Sequence, residues 1–135
     1  MVAHEYAATL RPNPRAVAPA RREFAGWLSS IGLSSVADDL EVVFSELVAN
    51  AASAADDPSG RVRVTARYAG GSVTLEVTNA HQAPLRPVPW DLEDGLREGG
   101  RGLLIVQALV DELEMGQDGA GRVVARCRKD VTPAR

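Results

Sequence analysis

Val62, Val64, Ala66 and Tyr68 alternate with Arg61, Arg63, Thr65 and Arg67, and after Gly70-Gly71 the alternation resumes with Val73, Leu75 and Val77 against Thr74, Glu76 and Thr78. A period of two sends one set to each side of a pleated strand, and Gly-Gly between two such runs predicts a tight hairpin. A hairpin with one apolar face needs a second layer to cover it. Just upstream, Val36, Leu40, Val43, Leu47 and Ala51 recur at helical spacing and supply an apolar stripe of the right kind. Ser34 or Ser35 is the expected cap, Asp38 and Asp39 are expected in the first turn, and Asp56-Asp57-Pro58-Ser59-Gly60 stops the helix after about Ala55.

The remaining segments extend this two-layer plan. Asn13-Pro14 reads as a cap and first-turn proline before Val17, Arg21, Phe24, Trp27 and Leu28, with Pro19 delaying or bending the helix and Gly32 closing it. Residues 79–99 lack periodicity, hold three of the chain's eight prolines, and form a long loop of the kind that is usually functional or disordered. A third helix is expected after Gly99-Gly100-Arg101-Gly102, burying Leu103, Val106, Leu109 and Val110. Residues 113–115 and 122–128 then read as a closing hairpin. The expected fold class is α/β (α+β), a two-layer sandwich with a mixed, mainly antiparallel sheet and helices on one face. With 135 residues and 45% hydrophobic content, the chain is read as one domain, 1–135, with a core at about 10–128 and a lid loop at about 79–99.

A formal net charge of -3 gives no general positive field for a nucleic-acid backbone or an anionic membrane, so neither is an expected partner. Cys127 is the single cysteine, which rules out an intramolecular disulfide and a cysteine-based zinc cluster, and its alternation with Val123 and Ala125 reads as a buried strand. His4 and His81 have no partners at metal-ligand spacing, and Trp90 reads as a loop anchor. No apolar run approaches the roughly 20 residues that cross a bilayer, and no signal peptide is evident. A soluble, cytoplasmic protein is the expectation.

Three polar features stand out against this frame. In Glu46-Leu47-Val48-Ala49-Asn50 a carboxylate and a carboxamide lie four residues apart, so both leave one side of the helix and can converge on one ligand. An amide oxygen suits Mg²⁺, and a carboxylate suits proton acceptance, though taken alone the pair reads more readily as two solvated helix-surface residues. Gly99-Gly100-Arg101-Gly102 at a helix start allows close backbone approach and offers unpaired N–H groups to an anion, or simply turns the chain. No Gly-Lys-Ser/Thr follows, so it is not a P-loop. Asn79 stands where a buried strand ends, a place for ligand contacts and for turn formers alike.

Taken in order, Glu46-Leu47-Val48-Ala49-Asn50-Ala51 and Gly99-Gly100-Arg101-Gly102-Leu103-Leu104-Ile105-Val106 resemble the paired motifs of the GHKL superfamily, the Bergerat-fold ATPases with a histidine-kinase-like ATPase domain. The likeness is nearest to the bacterial anti-sigma-factor serine/threonine kinases and their actinobacterial relatives. The resemblance implies ATP and Mg²⁺ as cofactors, with Asn50 as the metal ligand and Glu46 as the general base. It also implies that Gly100, Arg101, Gly102 and Leu103 wrap the phosphates, that Arg97 or Arg101 pairs with the terminal phosphate, and that Asn79 lies at the base. The implied partners are a sigma factor and an anti-anti-sigma protein carrying the acceptor serine. Relatives commonly dimerise, which makes the first strand and helix candidate faces for a homodimer.

Asn79-Ala80-His81-Gln82-Ala83 departs from the resemblance, because the family carries aspartate at the Asn79 position and glycines soon after. A carboxamide accepts through oxygen but also donates through nitrogen. The alternative reading is therefore a catalytically weak or inactive nucleotide-binding or protein-binding module with altered base recognition. The histidine or arginine usual after the asparagine is also replaced, by Ala54 and Ala55. A detached histidine-kinase catalytic domain is a third reading, disfavoured because no dimerisation helix with a phosphoacceptor histidine precedes the motifs.

Overall fold

The structure is a computed structural model that describes residues 3–53, 60–80, 101–117 and 123–131. In chain order it runs β1 (His4–Leu10), a 3-10 turn (Pro14–Ala16), α1 (Val17–Ser30), α2 (Ser34–Ser53), β2 (Arg61–Ala69), β3 (Ser72–Ala80), α3 (Arg101–Leu109), β4 (Glu112–Gln117) and β5 (Val123–Asp130). The strands form one five-stranded sheet in the order β1-β2-β3-β5-β4, and every described pairing is antiparallel.

The register lines up the inward residues in rows. One row is Tyr6, Ala66, Leu75, Cys127 and Leu113; the next is Ala8, Val64, Val77, Ala125 and Met115; the third joins Leu10, Val62 and Asn79. The helices cover this face, and α2 supplies the expected stripe, with Val36, Leu40, Val43, Leu47 and Ala51 all buried. Phe24 of α1 stacks on Phe44 of α2 with ring centroids 4.8 Å apart, and Tyr6 and Trp27 pack around Phe24 at 5.6 and 5.9 Å. Burial pushes the Cys127 thiol up to about 12, so it stays protonated and packs as a small apolar side chain.

The opposite face is polar, and its ion pairs sit directly across the ladders: Arg67 with Glu5 at 3.9 Å, Arg126 with Glu76 at 2.7 Å and Arg128 with Glu112 at 2.7 Å. Such exposed pairs contribute about 0–1 kcal/mol each, so they favour one register more than they hold the fold.

Local chemistry explains the connections. Asn13 caps the 3-10 turn, its Oδ1 accepting from the Arg15 N–H at 2.9 Å. Because α1 begins at Val17, Pro19 falls in the first turn, where its missing N–H has no helical acceptor to lose. Gly70 and Gly71 both take positive φ, 60° and 79°, as a two-residue type I′ hairpin turn requires.

Several expectations need correction. Asp38 and Asp39 lie beyond the first turn of α2, which starts at Ser34 and holds no acidic residue there. Asp39 instead pairs with Lys129 of β5 at 3.1 Å, and the same ammonium donates to the Leu109 carbonyl at 2.7 Å, capping the end of α3. α3 begins inside the glycine motif, at Arg101, and Val110 lies just past its end. Asn79 and Ala80 belong to β3 and not to the lid loop. β1 was not anticipated: its alternation of Tyr6, Ala8 and Leu10 is short and diluted by alanine and threonine. α2 is described as far as Ser53, so the expected stop near Ala55 lies outside the described residues.

Candidate functional site

α2 packs on the sheet and against both neighbouring helices, and Glu46 and Asn50, one helical turn apart, are half-buried along it. α3 is held next to them by Leu103 and Val106, which are 2% and 0% exposed. At Gly102 the two elements meet: a Cβ built there would stand 2.5 Å from Glu46 Oε2 and 3.5 Å from its Cδ. Gly102 is not among the positive-φ glycines, so its backbone conformation is open to any residue and only the approach of the carboxylate calls for glycine. The first N–H groups of α3 have no helical acceptor, so the amide-rich start of this helix lies directly against an ionisable side chain of α2.

This contact predicts the behaviour of Gly102→Ala. The crowding atom is the far end of a flexible side chain, so the carboxylate swings away and the fold is retained, with stability changed by about 1 kcal/mol or less. Thermal unfolding is expected to be near wild type while any function that needs Glu46 in place falls. A variant that fails to fold would mean that Gly102 is confined by backbone and not by Glu46.

Asn79 is the one buried polar or charged residue among the described ones, at 1% exposure. Neither Oδ1 nor Nδ2 of its amide has a hydrogen-bond partner among the described residues. It is the last inward residue of β3, opposite Val62, so the sheet turns an unsatisfied amide into the layer where the helices pack. An unpaired buried polar group costs about 1–3 kcal/mol, so the amide is available to a ligand that completes its bonding. A base with hydrogen-bonding groups on its edge fits that requirement.

The sequence profile of the histidine kinase-like ATPase domain matches residues 10–127. The chain belongs to this family. The Glu46–Gly102 contact and the orphaned Asn79 amide lie on three separate segments of this histidine kinase-like ATPase domain.

Of the other anticipated positions in this ATPase domain, Leu103 is buried and anchors α3, and the Arg101 backbone opens that helix. Arg97 and Gly100 lie outside the described residues, as do His81 and Trp90. The sequence reading missed the surroundings of Glu46 on its other flank. A groove of about 520 Å³ runs between the 3-10 turn, α1 and α2, lined by Pro14, Val17, Arg21, Ser45, Glu46 and Ala49 among others. The spacing of Arg21 on α1 carried no hint of this, because only the packing of α1 on α2 brings it there. No helix among the described residues is long and apolar enough to cross a membrane.

Proposed function

We propose that this ATPase domain is a regulatory protein serine/threonine kinase of the anti-sigma-factor type, which binds a sigma factor and phosphorylates a serine on an anti-anti-sigma partner. The observation that carries the reading is the meeting of Glu46 with the Gly102 backbone at the start of α3. It puts a proton acceptor beside helix-start amides suited to phosphate oxygens.

In this reading the partner's hydroxyl enters beside Glu46 from the groove lined by Arg21 and Ser45. Its oxygen forms a bond to the γ-phosphorus as the bond from that phosphorus to the β–γ bridging oxygen breaks, and ADP leaves. The hydroxyl proton passes to the Glu46 carboxylate. Phosphoryl transfer asks mainly for positioning and charge neutralisation, and Mg²⁺ supplies the latter when bound. Asn50, one turn from Glu46, would hold the cation through its side-chain oxygen, while Arg97 or Arg101 would meet the terminal phosphate.

Nucleotide titration with and without Mg²⁺ tests the site. Asn50→Ala is expected to weaken ATP binding about tenfold or more in Mg²⁺ and little in EDTA. Equal loss in both media would take the cation away from Asn50.

A second reading, a binding module without kinase activity, is favoured by one observation: the buried group at the end of β3 is an amide where the resemblance leads one to expect a carboxylate. Transfer of labelled phosphate from ATP to a candidate partner protein separates the two readings.

A further inference from the structure

We propose that Asn79 makes the base pocket of this ATPase domain receptive to 6-oxopurine nucleotides, carrying guanine or hypoxanthine, as well as to 6-aminopurine ones. The inference rests on the nucleotide-binding reading above and names the substrate class that its base subsite admits.

A carboxylate at this position offers only acceptors, so it pairs with the 6-amino group of adenine and sets oxygen against oxygen when a 6-oxopurine enters. The Asn79 side chain has nearly the same shape but carries one acceptor and one donor group, and a half-turn about Cβ–Cγ exchanges them. With the carbonyl forward it takes the adenine amino proton while its N–H reaches N1. With the nitrogen forward it donates to O6 of guanine or hypoxanthine while its carbonyl takes the N1 proton. Each is a two-bond match between an amide and a base edge.

The structure removes the usual obstacle to that exchange. A buried asparagine bonded to a neighbouring protein group is held in one orientation, and its preference follows from that bond. Here neither Oδ1 nor Nδ2 has a partner among the described residues. Val62 directly opposite and Leu10 beyond it in the same inward row have no side-chain groups that could hold the amide. With 1% exposure the amide is also out of reach of bulk water that would satisfy it without a ligand. Both orientations are open to it.

Calorimetric titration of the full chain with ATP, GTP and ITP in Mg²⁺ tests the idea. ATP, GTP and ITP are expected to bind within about tenfold of one another. Asn79→Asp is expected to retain ATP and raise the ATP-to-GTP preference by about tenfold or more, and Asn79→Leu to weaken all three. The wild-type titration stands alone should the aspartate variant not fold. Tight ATP binding with GTP and ITP weaker by more than about a hundredfold would overturn the inference and leave the nucleotide reading intact. An unchanged preference in folded Asn79→Asp would also overturn it, by removing the discrimination from Asn79. Binding of none of the three would overturn the nucleotide reading and this inference with it.

Discussion

On the proposed kinase reading, Glu46→Ala is expected to lower phosphate transfer to the partner serine by about 10²–10⁴-fold, the range over which a positioned proton acceptor acts. ATP affinity should stay within a few-fold of wild type, because the proposed phosphate cradle belongs to α3 and the proposed base contact to Asn79 on β3. Glu46→Gln sharpens the test, since it keeps the length and shape that pack against Gly102 while removing the ability to take a proton. Loss in both variants assigns the proton to Glu46. Loss in alanine alone assigns a spacing role, and unchanged transfer in both removes Glu46 from the chemistry. Gly102→Ala belongs to the same series, because it moves the carboxylate without deleting it, so an intermediate rate is expected of it.

The second large effect concerns the platform beneath the site. Phe24 and Phe44 are fully buried, and their stacked rings are the joint between α1 and α2. Phe24→Ala is expected to destabilise the domain by about 3–5 kcal/mol, through lost burial and the cavity left among Tyr6, Trp27 and Phe44. That is a large share of the roughly 5–15 kcal/mol typical of a domain. Urea unfolding would show it as a midpoint lowered by about 1 M or more at unchanged slope. Val42→Ala, at a residue 40% exposed on α2, provides the comparison and should cost about 0.5 kcal/mol or less. A loss below about 1 kcal/mol in Phe24→Ala would mean that the helix pair is held elsewhere.

The parts of this architecture that sequence makes readable are those governed by short-range periodicity. The apolar stripe of α2, the Gly70-Gly71 hairpin and the β4–β5 hairpin follow from spacing alone, and all are present. β1 escapes this reading because Ala7, Ala8 and Thr9 make a faint alternation; its pairing with β2, some sixty residues away in sequence (Tyr6 with Ala66), makes it a strand. The same limit applies to the candidate site. The Glu46 and Asn50 spacing and the glycine motif are visible along the chain, but that Gly102 is glycine because Glu46 lies against it is a tertiary fact. Asp39 illustrates the converse. Its charge suggests a helix-start role, yet its partner is Lys129 from the last strand. Asn79 could be recognised as polar and near a strand end, but its burial and lack of partners depend on β2 beside it and the helices above it.

The strand order has a consequence for how the domain is made. β3 pairs on one side with β2, its neighbour in the chain, and on the other with β5, fifty residues further on, as in Glu76 with Arg126. During synthesis from the N-terminus the strand bearing Asn79 therefore emerges with one ladder filled and the other bare, and it waits for β5 before that gap is closed. Nascent chains halted before β5 would present an uncovered sheet margin to chaperones and to one another, making the docking of β5 the step that turns a sticky intermediate into a finished domain.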